Sequence, residues 1–141
     1  MKIDSNVFIE IRDATTKEVV DTRESHNLVV NTGLNWVRDL IGGTEVRPSF
    51  IALGTGTAAP AAGDTDLGSK VYTGAIDRRI ASTAKMTNKI FVDSDSANSA
   101  SISEMGLLRG TLLIARALIS PAIAKTSLVE LTISHEITVS N

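Results

Sequence analysis

The sequence predicts a mainly β protein: a two-layer antiparallel β-sandwich, jelly-roll-like, with one short α-helix and an N-terminal arm. Three observations carry that prediction. Apolar residues alternate with polar ones in several short runs, most cleanly at Val129, Leu131, Ile133, His135, Ile137 and Val139. Polar or glycine-bearing breaks separate the runs. Only one stretch, about residues 32–41, places apolar residues at helical spacing. A chain of 141 residues suits one domain. Its 43% hydrophobic and 21% charged content is that of a folded protein, not a disordered one.

Taken in order, Asn6–Arg12 reads as a strand, with Val7, Ile9 and Ile11 on one face. Asp13–Lys17 is a polar turn. Residues 18–30 read as a strand pair or one long bent strand, with Asp21–Asn27 as a bulge or peripheral arm. Asn31-Thr32 can cap the helix, whose stripe is Leu34, Val37 and Ile41, widened by Trp36 and Leu40. Gly42-Gly43 ends it. Phe50–Leu53 is a short buried strand feeding a long loop of small residues up to Gly68. Lys70–Ala81 and Asn88–Asp93 are two strands joined by a turn over Ser82–Thr87. Residues 93–101 form a second polar loop. Ile102–Leu108 and Thr111–Ser120 flank a tight turn at Arg109-Gly110. The second of these strands is apolar on both faces except at Arg116, which marks a central strand covered on both sides. Pro121 is expected to end it. The domain reading is an N-terminal strand or arm over 1–25 and a sandwich over 26–141, a single globular unit overall.

A net charge of −2, with Arg78-Arg79 as the only adjacent basic pair, argues against nucleic-acid or anionic-membrane binding by bulk charge. There is no cysteine, which excludes disulfides and thiolate metal sites. No apolar run reaches the length of a membrane span, and the N-terminus has no apolar signal core. Synthesis in the cytoplasm is the expectation, and no cofactor or metal is expected.

Three motifs invite chemistry. Gly54-Thr-Gly56-Thr-Ala-Ala59 fits a permissive dinucleotide fingerprint, but no helix starts inside it and no Gly-Lys-Ser/Thr follows. A structural or contact loop is the better reading. Asp93, Asp95 and Glu104 match the first, third and twelfth positions of a calcium loop, but Ala97 and Asn98 break the pattern. A solvated loop with side-chain turn caps is preferred there. His135 lies on an apolar face with no second histidine nearby, so it is expected to be hydrogen-bonded within a core or interface rather than to act as ligand or base. His26 lies in a polar, exposed stretch. No nucleophile elbow or poised acid–base pair is evident, and the expectation is a protein that is not an enzyme.

Several segments carry a resemblance. They are His26-Asn-Leu-Val-Val-Asn-Thr-Gly-Leu34, Phe50–Pro60 with Asp64-Thr-Asp-Leu-Gly68, Ile102-Ser-Glu-Met-Gly-Leu107, Gly110-Thr-Leu-Leu-Ile-Ala-Arg116 and the closing alternating strand. In this series the chain resembles a family of small bacteriophage virion structural proteins, over most of residues 26–139. At Gly68-Ser-Lys70 it departs from the acidic residue and arginine frequent in that family. The resemblance implies a virion protein, made in the host cytoplasm, with major capsid protein or other virion proteins as partners and a homo-oligomeric state. A capsid decoration, or cement, protein is the first expectation. A tail or fibre-attachment component is the alternative, and a host-surface binding module or hydrolase the third. Expected contact residues are Thr55, Thr57, Ala59 and Pro60 in the central loop. Val7, Phe8 and Ile9 are expected in an arm that augments a neighbour's sheet. Packing of these residues within their own subunit is the competing reading.

Overall fold

The structure is a computed structural model and describes residues 1–141. Strands β1 (Lys2–Asp13), β2 (Val19–His26) and β3 (Leu28–Val29) precede helix α1 (Asn31–Ile41). Then come β4 (Phe50–Gly54), β5 (Lys70–Ala75), β6 (Arg78–Ser82) and β7 (Lys85–Val92). Strands β8 (Ala100–Arg109), β9 (Leu112–Lys125) and β10 (Val129–Ser140) complete the chain. They form two five-stranded sheets, in the orders β2-β1-β10-β7-β6 and β3-β9-β8-β4-β5, with every pairing antiparallel. The two-sheet sandwich expected from the alternating runs is the observed fold.

The core follows from period two. Val7, Ile9 and Ile11 of β1 face Leu131 and Ile133 of β10 and Ile90 and Val92 of β7 on the inner side of the first sheet. Ile51, Leu53, Met105, Leu107, Ala115 and Ala117 face them from the second. All are less than a tenth exposed. Burying such side chains stabilises by about 1.5–3 kcal/mol each, before the entropy of ordering them is subtracted.

Several boundaries differ from the sequence reading. Residues 18–30 are two strands in different sheets, parted at Asn27. Lys70–Ala81 is likewise two strands, because the chain turns at Ile76–Asp77 and crosses from the second sheet to the first. Pro121 does not end β9; the strand runs on to Lys125. The β8–β9 ladder shifts register between Ile102–Ile123 and Glu104–Leu118, so Pro121 sits where no ladder bond is required of it. Most consequentially, residues 2–13 are not a free arm. β1 lies between β10 and β2 and is hydrogen-bonded to both, so its inner residues belong to the core.

The helix is docked differently from its sequence signal. No side chain caps it; extended Val30 precedes it. Thr32 instead donates its hydroxyl to the Leu113 carbonyl at 2.6 Å. Gly33 is pressed onto β9, where a Cβ would lie 2.0 Å from the Ile114 carbonyl oxygen. Trp36 is buried, and its indole N–H donates to the Val46 carbonyl at 2.8 Å. Leu34 and Ile41, however, stand 51% and 74% exposed, so the apolar stripe is only partly sealed.

Gly33→Ala is therefore expected to destabilise the protein by about 2–3 kcal/mol, since two backbones must part to admit a methyl group. Gly42→Ala, whose Cβ would come no nearer than 3.6 Å to its neighbours, serves as the control and is expected to change little. Urea unfolding midpoints of the two variants check this.

Candidate functional site

The site begins with β8–β9 pairing. That register sets Gly106 opposite Arg116 and Glu104 opposite Leu118, on the face of the second sheet turned away from the core. Alternation thus places a carboxylate and a guanidinium together on an outer sheet face. Such a face is ordinarily wet. Here the loop between β4 and β5, residues 55–69, folds over it and packs Leu67 against Val30, Ala52, Leu108 and Leu113.

Glu104 is fully buried and the Arg116 side chain is 3% exposed. Glu104 Oε1 accepts the backbone N–H of Gly56 at 3.0 Å and of Ser69 at 2.8 Å. Its Oε2 accepts the Gly68 N–H at 3.0 Å and Arg116 Nε and Nη2 at 3.0 and 2.8 Å. Arg116 continues to Asp64 Oδ2 at 2.9 Å and to the Ala58 carbonyl at 2.8 Å. Ser103 donates its hydroxyl to the Gly56 carbonyl at 2.8 Å. Both ends of the loop and its middle are therefore tied to one ion pair. A Cβ at Gly54 or Gly56 would fall 2.4 or 2.5 Å from Glu104 Oε1, which is why this approach needs glycine.

The electrostatics favour the charged forms. Burial alone would raise the Glu104 pKa; the amides of Ser69 and Gly68, Arg116 and the Gly56 amide outweigh it and hold the carboxyl below its usual value. Burial likewise works against the Arg116 charge, and Glu104 and Asp64 outweigh it. Asp64 is held low by the Ala61 N–H and, against the cost of burial, by Arg116.

The Gly-Thr-Gly stretch is thus an anion-binding loop whose anion is the chain's own Glu104. The crest of the loop, Thr57 and Ala59, is exposed, while Thr55 and Pro60 are half-buried. Of the residues expected in an arm, Val7 and Ile9 are 1% and 0% exposed and pack in the core. They offer nothing to a neighbour, since β1 is already paired on both edges. Phe8, 39% exposed, points to the outer face of the first sheet.

Comparison with protein-family models, with curated proteins and with solved structures finds no match to this chain.

The remaining polar motifs lie apart from this ion pair. Glu104 is committed to the loop, so it does not join Asp93 and Asp95. Those two act by charge, without a direct ion pair, on Lys125, whose buried ammonium donates to Asn98 Oδ1 at 2.9 Å and to the Thr126 carbonyl at 3.0 Å. Burial pushes Lys125 down against the pull of Asp93, Asp95 and Glu130. The acidic loop therefore carries an internal cation. His135 is fully buried, with Nε2 2.7 Å from Ser5 Oγ, as the expectation of a hydrogen-bonded core histidine required. Burial lowers its pKa to about 4. His26 is exposed on edge strand β2.

Two outcomes follow. Glu104→Gln, which strips the charge from Arg116's partner and cannot accept every bond Glu104 accepts, is expected to cost about 3–5 kcal/mol. Amide exchange at Gly56, Gly68 and Ser69 should quicken more than in the β-sheet core. His135 contributes in a separate pH window. Its folded pKa of about 4 lies below the ordinary imidazole value of 6.5, so the unfolded chain binds the extra proton first. Stability is full above pH 6.5 and falls as pH drops towards 4, by about 3 kcal/mol in all. Urea midpoints measured across that range should slope downward towards acid, and His135→Gln should flatten the slope.

Proposed function

We propose that this chain is a bacteriophage virion structural protein without catalytic activity. Its role in this reading is that of a capsid decoration protein bound across subunits of the major capsid protein. The carrying observation is where the buried ion pair is placed. Glu104 and Arg116 bind no outside group; they hold the fifteen-residue loop 55–69 over one sheet, with Thr57 and Ala59 facing outward. A preordered loop loses little entropy on docking, which suits a part that must seat many identical copies. Phe8 and Phe91, 39% and 47% exposed on the outer face of the first sheet, supply a second apolar contact area. The segmental resemblance to small phage virion proteins names the assembly. A tail position would use the same rim.

Copy number decides between head and tail. Quantitative mass spectrometry of purified particles is expected to find this chain in hundreds of copies; a dozen or fewer would move it to the tail, and its absence would overturn the virion reading. Particles made with Thr57→Arg and Ala59→Arg together are expected to lose the protein from their surface and to release DNA at lower temperature. Unchanged occupancy of that double variant would remove the loop from the contact.

A further inference from the structure

A second feature lies on the other side of the second sheet. Between α1 and the inner faces of both sheets is an apolar cleft of about 580 Å³. Its walls include Trp36, Val37 and Leu40 of the helix, Met86 and Ile137 of the first sheet, and Ile114 of the second. That size falls within the range of small-ligand sites. The partly exposed helix stripe is one of its walls.

The cleft's polar groups are few and only partly partnered. Asn88 is fully buried on β7, and neither its side-chain oxygen nor its nitrogen has a hydrogen-bond partner. Across the ladder stands Arg79 of β6, whose Nε is also without a partner while Nη2 donates to the Pro48 carbonyl at 2.6 Å. Arg47 completes the polar lining. Neither arginine takes part in an ion pair, and no acidic residue lines the cleft. Arg79 is pushed down by burial and by repulsion from Arg47. Buried polar groups normally find partners, and a concentration of unmet donors beside unpaired positive charge favours an anionic acceptor.

We propose that this cleft binds an aliphatic carboxylate, with its hydrocarbon chain against Trp36, Val37 and Ile114 and its carboxylate at Arg79, Asn88 and Arg47. A polypeptide segment fits less well. Each of its residues would bring a backbone N–H and C=O into the cleft, and the walls offer partners at one end only. A ligand with one polar head matches that distribution. The assignment stands independently of any place in a virion.

The test uses the full chain and two probes, decanoate and decanol. Binding is followed by calorimetry and by the fluorescence of Trp36, the only tryptophan. Decanoate is expected to bind saturably, one per chain, at least ~10-fold more tightly than decanol, as a charge-assisted contact requires. Arg79→Gln should bring decanoate down to the level of decanol, and Val37→Phe should weaken both probes. Should Arg79→Gln disturb folding through its Pro48 contact, Arg47→Gln, at an exposed position, should still narrow the preference. Decanol binding as tightly as decanoate, binding that survives Val37→Phe, or no saturable binding would each overturn the assignment. An apolar peptide with a free carboxylate binding more tightly than decanoate would overturn it in favour of a protein partner.

Discussion

Everything on the outer side of the second sheet depends on one buried carboxylate. Taking a carboxylate out of water costs several kcal/mol unless its lone pairs are met. Glu104 is met by three backbone N–H groups and by Arg116. The backbone donors come from a loop that has no regular structure to supply its own bonds, so each side satisfies what the other leaves open. Glycine at 54 and 56 is a condition of this arrangement, because a side chain there would occupy the space of the carboxylate. The loop in turn lays Leu67 on the apolar half of the same face. Charge, backbone and apolar cover form one unit, and removing any part exposes the others.

How much of this was legible depends on whether a signal was local. β1 and β10 show period two over long spans and β9 an apolar run on both faces, and the sheets they build match these patterns. The crossing at Ile76–Asp77 left no mark, because alternation continues on both sides of it while the strand changes sheets. The arm failed for a related reason. The sequence shows that Val7 and Ile9 share an apolar face but not which surface covers it, and the cover is this chain's own core. Pro121 gave a misleading stop because a register shift between β8 and β9 removes the ladder position at which proline would be costly.

The site itself was half visible. Arg116 stood out as the one charge in an apolar strand, and the Arg109-Gly110 turn fixes the hairpin that brings β8 beside β9. Counting straight back from that turn pairs Arg116 with Met105 and puts Glu104 on the other face; only the register shift between Leu107 and Leu108 brings the two charges to one face, and nothing local in the sequence marks that shift. The Gly-Thr-Gly loop was legible as a structural or contact loop rather than a dinucleotide site, and a structural part is what the Glu104 contacts give it. An anion is bound there, but it is the chain's own Glu104 carboxylate.

The clamp also reaches the opposite side of the sheet through the helix. The Asn31 N–H donates to the Ala62 carbonyl of the loop at 2.8 Å, and the Thr32 hydroxyl to Leu113 on β9. Gly33 then lies flat on Ile114, so the first turn of α1 has almost no freedom. Trp36, one turn on, is carried into the cleft from that fixed start. The last turns expose Leu40 and Ile41, and the chain beyond them reaches back: Thr44 donates its N–H and its hydroxyl to the Asp39 carbonyl at 2.9 and 3.1 Å, and the Val46 carbonyl accepts the Trp36 indole N–H. The helix is thus pinned to the loop and to β9 at its first turn and closed by its own following turn at its last. The buried charge thus reaches the cleft by a short chain of contacts: it orders the loop, the loop's Ala62 carbonyl takes the Asn31 N–H, and the helix started there carries Trp36 to the cleft wall.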